Sequence, residues 1–458
     1  MNTRHTLTIF LAAAVGATGA AAQTDVQLPL MYGAQAATAN PAQLLNHKVS
    51  VSLPSASFGS FTPYAVNDIG ETRDGTLYLD GVRLEAALAG ADRDPGMAGR
   101  LETLGFNYRS AAGWQVGIAH ATRLQGRLGF PVGLARLATY GNGRYVGETV
   151  EAAPEVSLQV YQEFALHGAY SVTEALTVGI RAKYLGGSGA LVAEDGSLGV
   201  YTDPEFYEAT VTSDATVYSA GVPVTFDGLG VDVGSLDNPF GAGTGFAIDL
   251  GATLRPSEAL EIGLAARDIG SINWNGESAR EHVTNGTYTF SGYRAELFDE
   301  NGGGNDFSPA AIVDSLVGAV EFESAAAAFR TSLPTTFQAT GRYAVTKRTK
   351  VDATVYAAQH DVWYTGFGVG VTQGFGKFGQ VGLLGGARTD GAFLGANLAV
   401  DLWGPQLYIA TDNLLTAFDP YNGRDVHVRA GVNLAFGAIK KQKAVKGFYD
   451  TEVEGINK

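Results

Sequence analysis

Histidines come first in a search for chemistry, because an imidazole can bind a metal or move a proton near neutrality. Past residue 22 they are His47, His120, His167, His282, His360 and His427. No two stand four apart, the spacing that sets paired ligands on one helix face. The chain has no cysteine, which excludes thiolate metal sites, thiol nucleophiles and disulfides. His360 beside Asp361 could pair a base with its orienter, but the two fall at a strand end. No Gly-x-Ser-x-Gly elbow opens a helix. "DENGGGND", Asp299 to Asp306, matches neither an EF-hand loop nor a calcium-binding nonapeptide, and reads as a solvated turn. "KYLGGSGA" (Lys183 to Ala190) and "GNGRYVG" (Gly141 to Gly147) lack the strand, glycine loop and helix of a phosphate cradle. The expectation is no enzyme, no metal and no cofactor.

The remaining charges obey a different spacing: they alternate with apolar residues. Leu176, Val178, Ile180, Ala182 and Tyr184 share one face of an extended segment, and Thr177, Gly179, Arg181 and Lys183 share the other. Phe246 to Leu254 repeats the contrast with Asp249 on the polar face, and Leu260 to Arg267 does so with Glu261 and Arg267. Val426 to Phe436 does so with His427 and Arg429. By the same count Arg109, Arg342, Asp352 and Asp401 lie on polar faces. Period two means strands. The chemistry of such a face is charge-assisted hydrogen bonding to another polar face or to a chain held between them.

Strands of this kind suit a soluble sandwich, a propeller or a membrane barrel. No run of about 18 apolar residues follows the N-terminus, so no transmembrane helix is expected. Three features favour the barrel. Apolar faces last five or six positions, close to what a tilted membrane strand needs. Aromatics sit at strand ends (Trp114, Tyr184, Trp363 with Tyr364, Trp403), as interfacial girdles require. The opposite faces are rich in Gly, Asn, Arg, Asp and Glu, like a wet lumen. Closure also removes the sticky edges so many strands would otherwise expose. The expected fold is an all-β, transmembrane, antiparallel up-and-down barrel of about 14 strands, with 16 next.

Arg4, the apolar run Leu7 to Val15 and Ala20-Ala21-Ala22 read as a signal peptide over residues 1–22. The formal net charge of −15 argues against a nucleic-acid partner. Three segments break the alternation toward helical spacing: Gly81 to Ala91, Phe130 to Tyr140, and Phe307 to Phe329 with Ser308 as cap and Pro309 at the first turn. They are expected in loops, caps or plugs.

The stretch "QAATANPAQLLNHKVSVSLPSASF" (Gln35 to Phe58) runs from small residues through Asn40-Pro41-Ala42 into a first strand. It resembles the FadL-like outer-membrane barrels, in which this region forms a hatch inside the barrel. Nearly the whole mature chain is similar to an uncharacterised family of Bacteroidetes-type outer-membrane barrels carrying a domain of unknown function. The segments that carry this are "FPVGLARLATYGNGRYVGETVE", "GIRAKYLGG", "GFAIDLGA", "ARDIGSINW", "LPTTFQATGRY", "TDNLL" and "GVNLAFG". The resemblance implies a hatch over 23–46, with Asn40, Pro41 and Ala42 at its heart, a barrel over 47–437 and a polar tail over 438–458. The implied surroundings are outer-membrane lipid and the barrel-assembly machinery. Two roles follow from it: passage of small hydrophobic molecules, as in FadL, or docking of a secreted or surface protein, as in PorV. Phe436 ends the last strand, but the chain runs on to Lys458, which departs from the usual terminal aromatic. An ordinary ion-conducting porin is disfavoured by the hatch. The charged lumen faces would hold the hatch, line the pathway or pair with one another.

Overall fold

The computed structural model describes residues 26–439, apart from 32, 74–75, 92–93, 194–195, 228–229, 235–237, 291–320, 360–362, 377 and 390. Among the described residues the long strands close into a 14-strand antiparallel barrel. In chain order these are β1 (His47–Phe61), β2 (Gly96–Arg109), β3 (Trp114–Gly129), β4 (Glu155–Ser171) and β5 (Leu176–Ala193). Then follow β6 (Gly243–Leu254), β7 (Leu260–Trp274), β8 (Thr335–Ala344), β9 (Thr349–Gln359) and β10 (Trp363–Gly374). The last four are β11 (Gly379–Arg388), β12 (Gly391–Asp401), β13 (Pro405–Thr411) and β14 (Asp425–Ala438). β1 pairs with β2 on one side and β14 on the other, His47 opposite Ala438, so no edge is left open.

The alternation has a physical cause visible on the outside. Phe246, Leu264, Val369 and Leu383 are all more than half exposed. Water would penalise such a belt by about 25 cal/mol per Å², whereas acyl chains do not. A closed sheet is also the one β-architecture that pairs every backbone group inside lipid. The barrel therefore spans a membrane. Aromatics collect at both rims. Tyr108 with Trp114 and Phe378 with Trp403 sit at the short-turn end, their rings 5.5 and 5.7 Å apart. Tyr184 with Phe246 and Phe337 with Trp363 sit toward the other, at 5.6 and 6.2 Å. Tyr364 differs from its neighbour Trp363: it is buried and faces inward, because adjacent strand residues point to opposite faces.

Long connections crowd the other end. The helical expectations near 81 and 130 correspond to helices Gly81–Ala89 and Val132–Tyr140. Asp80 caps the first, accepting from Val82 N and Arg83 N at 2.9 and 3.1 Å. The two helices pack together through Leu88 and Ala135 with Tyr64 and Ile69, and Arg136 Nε donates to Glu85 Oε1 at 2.9 Å. The helical expectation for Phe307 to Phe329 lies outside the described residues up to residue 320, and beyond it the chain forms strands Glu323–Ala326 and Phe329–Ser332 instead of helix. Asp299 to Asp306, His360 with Asp361, and the proposed signal peptide also lie outside the described residues. Ala209–Ala220 pairs with Arg280–Phe290 from Ala209 opposite Phe290 to Ser219 opposite Arg280. At about 3.3 Å per residue this ribbon rises roughly 35 Å. It stands outside the fourteen strands of the closed barrel.

Candidate functional site

The barrel is filled. The described residues between Val26 and Leu45 are mostly buried and bond to strands on both sides of the wall. Three arginines grip backbone carbonyls of this inner segment. Arg342 donates to Leu30 O, Arg181 to Ala37 O at 3.1 Å and Arg109 to Leu45 O. A guanidinium is well suited to this, since its fixed fork offers five donors and never loses its charge. Side-chain amides complete the grip. Gln35 and Asn433 exchange hydrogen bonds at 2.5 and 2.7 Å. Asn397 Nδ2 donates to Gln27 Oε1 at 2.8 Å, and Leu45 N to Gln115 Oε1 at 2.9 Å.

Asn40-Pro41-Ala42 sits on a seat of glycine. Asn40 Oδ1 accepts from Ala42 N at 2.9 Å, closing a local turn, while Asn40 Nδ2 donates to Ala252 O at 3.2 Å. Gly179 of β5 lies opposite Gly251 of β6. A Cβ on Gly251 would come within 2.2 Å of Asn40 Oδ1, and one on Gly179 within 2.3 Å of Pro41 C. No side chain fits either place, so the two glycines are needed for close approach rather than for backbone freedom.

The inward charges divide into groups. Lys183 Nζ lies 2.6 Å from both Asp249 Oδ1 and Asp268 Oδ1. Asp268 continues to Arg123 at 3.5 Å, Arg123 to Glu163 at 3.0 Å, and Glu163 to Arg100 at 3.2 Å. Glu102 lies 3.8 Å from Arg100. This belt joins β2 through β7 and is buried throughout. Arg267 borders it, buried, with its Nε unpaired. Across the lumen Arg342 Nε donates to Asp352 Oδ1 at 2.7 Å, and Arg429 Nη2 to Ser57 Oγ at 3.2 Å. Glu261 and Asp401 stand apart near the short-turn rim. Glu261 accepts from Arg255 at 2.8 Å and Asp401 from Gln406 at 3.0 Å.

Arg100, Glu102, Arg123, Glu163 and Asp268 are not among the polar-face charges named from the sequence, though Arg123 and Glu163 keep the phase of their strands. Bulges explain three of them. In β7 the pair Arg267 and Asp268 faces the single residue Asp249, and Asp268 has φ +59°. The extra residue turns both charges inward. In β2 the register slips at Thr103, so Arg100 and Glu102 face inward above it and Asn107 and Arg109 below. The sequence carries a trace of each: two adjacent charges in an apolar run, and inward charges of even and odd number on one strand.

The other wall adds apolar contacts to polar ones: Gln27, held by Asn397, also donates to Thr411 O and to Asp412 Oδ1 at 3.1 Å. Val26 and Leu30 of the inner segment pack against Tyr356, Ala358, Tyr364, Leu384 and Phe393, and Met31 against Ala399, Tyr408 and Ala410. Outside that region a furrow of about 870 Å³ runs along the lipid face, edged by Leu264, Phe337, Val355 and Phe367.

The family model described as "Family of unknown function (DUF5723)" matches residues 41–412. No curated protein matches the chain. Among solved structures, the chain is similar to the Pseudomonas putida toluene transporter TodX, at 11% identity, covering 89% of this chain and 95% of that one with a TM-score of 0.45. It is similar to the CymD monoaromatic hydrocarbon channel at 10% identity, 88% and 93% coverage and a TM-score of 0.47. A Pseudomonas aeruginosa FadL homologue aligns at 10% identity, 88% and 94% coverage and a TM-score of 0.43.

Proposed function

The chain belongs to the DUF5723 family of unknown function, and we propose that it is an outer-membrane barrel that passes small hydrophobic molecules, with residues 26–45 as its hatch. The observation that carries this is the asymmetry of the filled lumen. On one side the inner segment is held by Arg109, Gln115 and Arg181, on strands that also carry a belt of buried ions. On the other, beside its bonds to Arg342 and Asn397, it meets an apolar patch, with Val26 and Leu30 against Tyr364, Leu384 and Phe393. Apolar contact is non-directional and tolerates sliding, so a hydrophobic molecule has a seam to follow that ions do not. The outer-membrane location is supported by closed-barrel architecture, short turns at one end and long loops at the other, together with the signal-like N-terminus. The long-loop end faces outward in this reading.

The test is paired flux into liposomes with the mature protein and a variant lacking Gln35 to Leu45. The intact protein is expected to admit a lipophilic tracer with little ion leak, and the deletion to raise ion conductance at least about tenfold, since a barrel of this strand number encloses a wide lumen. Unchanged conductance would remove the hatch assignment. A second reading, docking of a secreted or surface protein, is favoured by the tall ribbon beyond the barrel. Its neighbouring turn presents Phe206 and Tyr207 at 70% and 69% exposure. No flux of either kind through an intact barrel would favour that role.

A further inference from the structure

We propose that the loop over residues 238–242 is a lipid anchor: Phe240 enters the boundary between headgroups and acyl chains at the long-loop rim and ties the foot of the ribbon to the bilayer. This goes beyond the passage reading and rests only on the barrel's spanning a membrane. The loop belongs to the long connection between β5 and β6, where backbone normally runs out into water. Here it turns back over the outside of the wall. The Phe240 ring stands 6.1 Å from that of Phe164 on β4. A Cβ on Gly186 of β5 would meet Phe240 Cδ1 at 3.5 Å, so the ring lies against the outer face of the sheet. Phe240 is still half exposed there, and its surface continues the lipid-facing belt.

Strand register gives the level of this contact. His120 pairs with Phe164, Phe164 with Tyr184 and Tyr184 with Phe246, so four rings cross β3 to β6 in one row, 4.5, 6.4 and 5.6 Å apart. One step nearer the long-loop end, about 7 Å away, the outward row is Thr122, Gln162, Gly186 and Thr244. The face passes from aromatic to polar within that step, as it does where hydrocarbon gives way to headgroups. The loop spans the step. Its ring rests on the aromatic row, and its backbone hangs from the polar one. Thr122 Oγ1 donates to Gln162 Oε1 at 2.8 Å, Gln162 Nε2 to Ser188 Oγ at 3.3 Å, and Ser188 Oγ to Pro239 O at 2.5 Å. Phe240 N donates to Asn238 Oδ1 at 2.9 Å, which closes the turn. The far end of the loop meets the ribbon. Ala242 N donates to Gly187 O at 3.0 Å, and a Cβ on Gly221, the residue after strand Ala209–Ala220, would come within 2.7 Å of Ala242 Cβ.

The chain has no cysteine, so F240C, F206C and L250C can each carry one environment-sensitive fluorophore on the full-length protein in phosphatidylcholine liposomes. Heat-modifiable gel mobility reports folding for each variant. The probes are lipids with a nitroxide near the headgroup or near the chain end, and iodide on both sides of the membrane. Position 240 is expected to be quenched several-fold more by the shallow nitroxide than by the deep one, position 250 in the lipid belt by the deep one, and position 206 by iodide alone. No nitroxide quenching at 240 would overturn the proposal. If iodide then reaches the site, the loop stands in water; if not, protein covers it. Absence of quenching at 250 would remove the membrane reading, and the proposal with it. F240W with brominated lipid, read as the difference from the unaltered protein, repeats the test if the labelled variant misfolds. F240S should speed chymotrypsin cleavage at the Phe206–Tyr207 turn several-fold in liposomes, and an unchanged rate would overturn the tie to the ribbon.

Discussion

The two walls of the lumen differ in the side chains they turn inward, though both bond to the same inner segment. From β2 to β7 the wall is a belt of buried ions in which Glu163 serves Arg100 and Arg123 at once, and Lys183 serves Asp249 and Asp268. From β9 to β13 Tyr356, Tyr364, Leu384 and Phe393 pack on Val26 and Leu30, beside the bonds of Gln27 to Asn397 and Thr411. Buried ion pairs repay their desolvation only in one geometry, so the first wall is rigid. Apolar contacts lose little when a chain slides past them, and here directed bonds of Gln27 with Asn397, Thr411 and Asp412 fix the segment beside them. The difference teaches how one segment is held in two ways: Arg109, Gln115 and Arg181 bind it on the ionic side, and apolar packing adds to directed bonds on the other.

The sharpest way to break this contrast is Glu163→Gln. It leaves Arg100 and Arg123 without their shared carboxylate in a buried site, and should cost about 3–5 kcal/mol by denaturant unfolding in lipid, with tracer flux little changed. A flux loss as large as the stability loss would place the pathway on the ionic side. Next is Leu384→Ala on the apolar wall. Stability should fall by about 2 kcal/mol, the low end for a buried leucine, because the inner segment can close in. Lipophilic flux should rise several-fold in the same liposome assay. Smallest is Asn40→Ala, which gives up the bonds to Ala252 O and Ala42 N. About 1 kcal/mol and a modest rise in ion leak are expected, read in single-channel recordings.

Much of the barrel was legible in the residues. The faces of β5 and β6 follow strict alternation, with Arg181, Lys183 and Asp249 inward and Ile180, Tyr184 and Phe246 outward, because lipid and lumen impose a period of two. The helix at Gly81 was legible through its spacing. Asp268 was not, since a bulge shifts the phase within one residue, and a period-two count has no means of seeing an extra residue. Tyr364 was assigned to the rim beside Trp363, yet it belongs to the lumen for the plain reason that neighbours in a strand diverge.

The amino-acid sequence by itself determined the class of fold, because apolar alternation, absent cysteine and glycine-rich polar faces leave few ways to satisfy a backbone in lipid. It also marked which residues could hold charge inside. Only the tertiary structure decided how those charges pair. Arg181, Arg109 and Arg342 reach carbonyls 144, 64 and 312 residues away. Gly179 and Gly251 become one seat for Asn40, Pro41 and Ala42. Such contacts depend on strand register and barrel closure, long-range quantities that no local pattern encodes.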